Sequence, residues 1–362
     1  MTPRPSRREG RSPSEAPPGG GSGQDGRGGS GGVHEAWLRR WLTLTCGIPS
    51  QDTFLRVFAA IDPVAFRTAF REWVGVIRQT FGHGHVAIDG KTARRSFDTA
   101  SGAKAIHTVS AWLSEDGLVL GQQAVAEKSN EIDAIPELLA LLDVRGTTVT
   151  IDAMGCQRAI ASTIVDREAH YVLAVKDNQP TLRHDISQFF ADAERTDRPV
   201  DDPAPAVDTA NEVDAGHGRV EERSCRLSRD LGWVQTKDAW SGLSAIAQVR
   251  SVCHNKVTGA TSTDERLYII SHPTASAADV LRWVRTHWGI ENRLHWVLDI
   301  AFSEDQSRVR AGHAAENFAI IRHVALNLLR GAPSTRKKRS IALRRKRCGW
   351  DLDYLLSVLV GA

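Results

Sequence analysis

Two rhythms of apolar and polar residues run along this chain, and the change from one to the other divides it. From Trp37 to about Thr80 the apolar residues recur every three or four positions. The segments are WLRRWL, then SQDTFLRVFAAI behind Ser50 as a cap, then DPVAFRTAFREWVGVI with Asp62 as cap and Pro63 at the first helical position. A small helical piece is therefore predicted over residues 33–82. The rhythm then shortens. HVAIDGK, AIHTVSAWL and LVLGQQAVA read as three short strands parted by Gly, Ser and Asp, followed by a helix capped at Asn130 that runs through IPELLALL. TTVTIDAM reads as a buried strand, QRAIASTIVDREA as a helix, HYVLAVK as a strand and TLRHDISQFF as a helix. Strands followed in this way by helices predict an α/β sheet.

After Asp192 the chain is acidic and Pro-rich up to about Ala215, which predicts a loop. VEERSCRLS, SAIAQVRSVCHN and ERLYIISH predict strands of a separate β-rich insertion, so that residues 196–275 interrupt the α/β region. A long helix follows from ASAADVLRWVRTHWGIEN through HWVLDI. Within it His287, Glu291, His295 and Asp299 stand four apart. At about 100° per residue they form a slowly drifting stripe beside Ile290, Leu294 and Leu298, which puts Glu291 at the edge of a buried face. Trp283, Trp288 and Trp296 read as core rather than as platforms for bases. A last apolar helix, ENFAIIRHVALNLLR, leads into a basic segment at 332–347.

Composition changes this picture at four points. Of the first 32 residues, 20 are Gly, Pro or Ser, too little apolar surface to offset the entropy of ordering, so residues 1–32 are expected as a disordered tail. The chain has 25% charged and 41% apolar residues, no apolar run near the roughly 18 residues of a membrane span, and no signal-peptide core. A cytoplasmic protein without a membrane partner is expected. The five cysteines, at 46, 156, 225, 253 and 348, form no C-x-x-C pair and read as reduced thiols. The formal charge of +3 hides an asymmetry: residues 317–350 hold ten Lys or Arg and no acid, whereas 185–215 hold nine acids against two arginines. The basic end suits a polyanion.

Two strands end in an acid, VAID at Asp89 and VTID at Asp152. Singly, each has an ordinary reading, Asp89 as a turn before Gly90 and Asp152 as a helix cap. A carboxylate at Glu291 can equally be a boundary residue that pairs with Arg285 or Arg293. Taken together the three suggest more, because metal-dependent cleavage or joining of phosphodiesters needs three or four carboxylates around two ions about 3.5 to 4 Å apart. A different grouping, His287, Glu291 and His295, would suit zinc.

The chain closely resembles the DDE transposases of bacterial insertion sequences, in the ISAs-type group that includes the H-repeat-associated proteins. The matching stretches include GIPSQDTFLRVF, AIDGKTARRS, EKSNEI, VTIDAMGCQ, YVLAVKDNQ, HGRVEER and HWGIENRLHWVLDIAFSEDQSRVR, in order from residue 47 onward. The resemblance implies a ribonuclease H-like mixed sheet flanked by helices over 83–362, with the β-rich insertion before the helix that carries the catalytic Glu. It implies Asp89, Asp152 and Glu291 as catalytic acids and as ligands of two Mg2+ or Mn2+ ions. The implied partners are double-stranded DNA, both transposon terminal inverted repeats and target, and a second copy of the chain on that DNA, in the bacterial cytoplasm. The implied reaction is cleavage at the element's ends followed by strand transfer. Related transposases carry Tyr, Arg and Lys seven before, four before and seven after the Glu; here those positions hold Val284, His287 and Leu298. They also begin with a longer helical region, so a truncated copy is one expectation.

Candidate DNA contacts are Lys91, Lys176, Asn178, Gln179, His287, Arg308 and Arg310, together with the basic run Arg336, Lys337, Lys338, Arg339, Arg344, Arg345, Lys346 and Arg347. Asn178 and Gln179 can also be ordinary loop residues, Arg308 and Arg310 can pair with Glu304 and Asp305, and Ser129 and Asn130 can serve as a helix cap. The basic run has no acid nearby and is either a DNA contact or a solvated tail. Two other functions fit the same motifs: a same-fold nuclease that does not join strands, and a DNA-binding remnant without activity.

Overall fold

The computed structural model describes residues 31–78, 84–99, 102, 104–125, 131–195, 204–216, 218–332 and 339–361. Residues 1–30 of the expected tail, Ser129, Asn130, Arg336, Lys337 and Lys338 lie outside them. The chain divides into two compact units at Pro49 and Ser50. In the first, α1 (Gly31–Leu38) is followed by turns, and Arg39 pairs with Glu35 at 2.6 Å.

The second unit opens on α2 (Gln51–Ala60) and α3 (Pro63–Arg78), each started by the cap that the sequence predicts. The Ser50 hydroxyl accepts from the Thr53 N–H, and the Asp62 carboxylate accepts from Val64 and Ala65. Both helices are tied to α9 (Ala314–Gly331). Asn317 donates to the carbonyls of Phe58 and Ile61 at 2.8 and 2.9 Å, and Arg67 pairs with Glu316. The helical piece expected over 33–82 is thus divided, and residues from Ser50 onward pack with the rest of the chain.

One nine-stranded sheet organises this unit, in the order β3-β2-β1-β4-β5-β9-β8-β7-β6. Its first half comprises β1 (His85–Thr92), β2 (His107–Leu113), β3 (Leu118–Val125), β4 (Thr148–Ile151) and β5 (His170–Val175). β1 and β4, and β4 and β5, are parallel, and β2 runs antiparallel to both β1 and β3. Order 3-2-1-4-5 with an antiparallel second strand is the ribonuclease H-like arrangement. The central strands are buried on both faces, and so VAI and TVTI read as continuous apolar or β-branched runs. Helices α4 (Glu131–Ala140), α5 (Arg158–Asp166) and α6 (Pro180–Ala193) follow β3, β4 and β5 in turn.

The second half comprises β6 (Asp208–Gly216), β7 (Arg219–Ser228), β8 (Ala245–Asn255) and β9 (Thr261–Ile270). Two expectations change here. The strands of the insertion are not a separate body, because β9 bonds antiparallel to β5 and the extension continues the same sheet. And DTANEVDAG, expected in a loop, is the edge strand β6, partnered along its length by β7. Its acids masked it. They are edge-strand charges, with Glu212 held by Arg223 at 2.9 Å and Asp214 by Arg285 at 2.6 Å, and charge on an edge opposes further pairing.

Helix α7 (Ala277–His287) starts with a Ser276–Asp279 capping box and buries Val280, Leu281 and Trp283 against the extension. A π-turn (Ile290–His295) and α8 (Trp296–Phe302) continue it. The basic segment was expected as a tail or a DNA contact. Its described part is α10 (Ile341–Cys348), followed by α11 (Leu352–Val360). Its charges are partly used inside the fold: Arg344 donates to the Leu329 carbonyl at 2.8 Å, Arg345 lies 5.6 Å over the Phe302 ring, and Arg347 pairs with Asp351 at 2.8 Å. An acid is therefore near after all.

Candidate active site

Side chains alternate across a strand, and at the end of β1 this sends Asp89 and Lys91 to one face and Gly90 to the other. Gly90 has no room for a side chain. A Cβ there would come within 2.5 Å of both Glu131 Oε1 and His107 Nε2. Those two groups lie 2.5 Å apart and are buried, and His107 Nδ1 lies 2.7 Å from the Thr92 hydroxyl. This network braces the strand behind Asp89. No sequence signal marked Glu131 or His107, because each is read only through its partner.

Asp152 stands just past β4. Its carboxylate accepts from the Met154 N–H at 3.1 Å and so caps the 3₁₀ turn Ala153–Gly155, the ordinary role weighed for it, while its side chain stays exposed. Gly155 is required there, because a Cβ would collide with Ile151. Asn178 and Gln179 brace the same turn: Asn178 donates to the Ala153 carbonyl at 2.7 Å and Gln179 to the Cys156 carbonyl at 3.0 Å. These amides, expected as DNA contacts, are spent on positioning the loop of Asp152.

The third acid comes from the π-turn. In an α-helix, four positions spaced by four drift by about 120° from the first to the last. The Trp296 N–H bonds five residues back to the Glu291 carbonyl, so one extra residue is absorbed, which removes about 100° of that drift. All four stripe residues now face the strand ends. His287 Nδ1 lies 2.8 Å from the Thr150 hydroxyl on β4, His295 Nδ1 lies 3.5 Å from Asp89 Oδ2, and Asp299 pairs with Lys91 at 2.8 Å. Ile290, Leu294 and Leu298 fill the core beside them. Trp283 is buried as expected, but Trp288 and Trp296 are 38% and 60% exposed, a correction to their reading as core.

Asp89, Asp152 and Glu291 line one cavity of about 150 Å³, together with Lys176, His287 and Trp288. Burial, opposed by the Gly90 N–H and reinforced by the charges of Asp152, Glu131 and Glu291, pushes the Asp89 carboxyl up to about 7. Burial pushes His287 down to about 4 and His295 down to about 3, so both are neutral at physiological pH. His287, a candidate phosphate contact, thus carries no positive charge, and His287 and His295 turn to Thr150 and Asp89 rather than gathering as a zinc set. Among the described residues no three His, Cys, Asp or Glu side chains are grouped tightly enough to hold one ion by themselves. The three acids nonetheless fit a hard divalent ion, since they offer only oxygen and since a cation would favour the ionised form of Asp89 that burial, and then its acidic neighbours, disfavour.

The other candidates are scattered. Lys91 is not free for DNA: Asp299, Glu304 and Asp305 surround its ammonium at 2.8, 3.3 and 3.2 Å. Glu304 also reaches Arg322 and Asp305 reaches Arg94, rather than Arg308 or Arg310. Arg310 donates to the Arg95 carbonyl and lies 4.9 Å over the Phe97 ring, and Arg308 is exposed. Val284 lines the cavity and Leu298 is buried.

A groove of about 620 Å³ adjoins the cavity, running between β7–β9 and α7 with the π-turn. Five arginines, 219, 223, 266, 285 and 293, line it with two acids, Glu221 and Asp264; Arg223 and Arg285 are held by Glu212 and Asp214, Arg266 by Asp264, and Arg293 donates to the Ser114 carbonyl. Arg266 lies 4.6 Å over the Trp288 ring, where groove and cavity meet.

Comparison with known proteins shows the family. Residues 80–328 match the family model described as "Transposase DDE domain", and residues 30–74 match the one described as "DDE_Tnp_1-associated". The transposase candidate YncI of Escherichia coli O157:H7 is 39% identical over 89% of this chain and 81% of its own length. The H repeat-associated transposase candidate YhhI of Escherichia coli K12 is 36% identical over 92% of this chain and 86% of its own. A piggyBac transposase in a synaptic complex with hairpin DNA aligns with a TM-score of 0.43 and 12% identity, over 90% of this chain and 68% of that one, a likeness too distant to add weight. With strand order 3-2-1-4-5, acids at the ends of β1 and β4 and a third on the helix laid across them, the chain belongs to the transposase DDE domain family.

Proposed function

We propose that this chain cuts DNA at the ends of an insertion sequence and joins the freed 3′ ends to target DNA, using Asp89, Asp152 and Glu291 to hold two Mg2+ or Mn2+ ions. The observation that carries this reading is that three carboxylates from three separate elements line one cavity beside an arginine-rich groove. When bound, such ions supply Lewis acidity at the phosphate oxygens and lower the pKa of the attacking water. The protein's share is placement. The Gly90 network holds β1, the Asn178 and Gln179 amides hold the turn of Asp152, and the π-turn holds Glu291. Lys176 at the cavity and Arg219 in the groove take the phosphodiester backbone, and Arg308 and the exposed charges Arg339, Arg345 and Lys346 extend that contact. The working form is a homodimer assembled on the DNA. No helix among the described residues is long and apolar enough to cross a membrane.

The test is Asp152→Asn. Cleavage of end DNA in Mg2+ is expected to fall to the level seen without metal, while binding of the same DNA is kept, because the phosphate contacts lie elsewhere. A variant that cuts at the normal rate removes Asp152 from the site. Cleavage by the intact protein without strand-transfer products would leave the same-fold nuclease as the function.

A further inference from the structure

The helix that supplies Glu291 also touches both strands that supply the other two acids. One turn before Glu291, His287 meets Thr150, two residues short of Asp152. One turn after it, His295 Nδ1 stands 3.5 Å from Asp89 Oδ2. The His295 side chain is 12% exposed, enclosed between β1 and the helix. The cation nearest along β1, Lys91, is turned to Asp299, Glu304 and Asp305. Asp89 is thus met by an imidazole on its inner side, while its outer side faces the cavity shared with Asp152 and Glu291.

We infer that His295 is a positioning residue for the reaction: it takes up the Oδ2 side of Asp89 and thereby aims the Oδ1 side at the divalent ions. The inference rests on the reading of this cavity as a metal-dependent site. A carboxylate that is free to turn about its Cβ–Cγ bond offers its oxygens in many directions, and fixing one of them confines the other. A partner that orients a ligand in this way is worth roughly 10- to 100-fold in metal affinity. The π-turn makes the contact possible, since without the extra residue His295 would be rotated by about 100° away from β1.

The experiment compares the intact protein with His295→Ala and His295→Asn. The asparagine amide nitrogen sits close to where the imidazole Nδ1 is and can donate to the same Asp89 oxygen. Mn2+ affinity is measured calorimetrically without DNA, end-DNA affinity in EDTA, and cleavage against Mg2+ concentration. His295→Ala is expected to weaken Mn2+ roughly 10- to 100-fold and to raise the Mg2+ needed for half-maximal cleavage by a similar factor, with DNA affinity in EDTA unchanged. His295→Asn is expected to recover most of the Mn2+ affinity. Two results overturn the inference: His295→Ala binding Mn2+ as the intact protein does, or His295→Asn binding it as weakly as His295→Ala. Failure of the intact protein to cleave in any divalent metal would instead overturn the reading of the site.

Discussion

At the scale of single residues, Asp89 carries a measurable electrostatic consequence. Its carboxyl is held up to about 7, chiefly by burial, whereas in the unfolded chain it titrates near ~3.9. Between those values the folded protein keeps a proton that the unfolded chain has lost. Stability from this group is therefore full below about pH 4 and is lost as pH rises to about 7. Asp89→Asn removes the charge and with it the loss. In EDTA at pH 8 the variant is expected to be more stable than the intact protein by roughly 2–4 kcal/mol, and at pH 4 nearly equal to it. Urea unfolding at the two pH values checks this, and a gap that does not widen with pH would show that Asp89 is ionised at little cost. Asp89 and Asp152 were legible in the sequence, because an acid ending an apolar strand stands out against its surroundings, and Glu291 because it stands in a polar stripe beside an apolar one. The roles of His107, Glu131, His295, Asn178 and Gln179 were not, since each depends on a group brought close only by the sheet.

Among the elements, the π-turn departs furthest from what the pattern indicated. A continuous helix was expected, and a stripe of four polar residues was legible, but its drift would have turned Asp299 well away from His287. The residue that cancels the drift leaves no trace in an apolar pattern, because Ile290, Leu294 and Leu298 keep the spacing of four that an unbroken α-helix also shows. Deleting Asn292, which is exposed within the turn, should restore α-helical phase and rotate everything after it by about 100°. His295 and Asp299 then turn away from β1, and Leu294 and Leu298 turn out of the core with them. Loss of metal-dependent cleavage with a lowered unfolding temperature is the expected result, whereas Asn292→Ala, which keeps the length, should stay within a few-fold of normal. Activity in the deletion variant equal to that of the alanine variant would deny the turn its part. Strands β1 to β5 were legible because burial on both faces leaves dense apolar runs; β6 was not, because an edge strand that bears its charge outward has the composition of a loop.

Across the whole molecule, the charge asymmetry pointed to a polyanion, and the fold shows how much of that charge is left over. Arg344 and Arg347 serve the packing of α10, so counting every basic residue there overstates what DNA can use. Replacing the exposed Arg339, Arg345 and Lys346 with Ser should flatten the slope of log affinity against log salt by about 2 to 3 units, alike for end DNA and random duplex, since phosphate contacts carry no sequence. Arg344→Ser should instead lower stability and leave the slope nearly as it was. Binding measured across a salt series separates the two, and an unchanged slope in the triple variant would move the DNA path wholly to the groove side.

The junction of β5 with β9 has a mechanical meaning. The wall that carries the groove arginines and the floor that carries Asp152 are rungs of one ladder, with Val172 to Val175 paired one for one with Ile270 to Leu267. A lid swings because something between it and its frame gives way; here the frame runs straight through. The arginine wall is an anvil rather than a jaw, fixed relative to the acids, and a long stiff substrate is brought to the acids by moving the substrate.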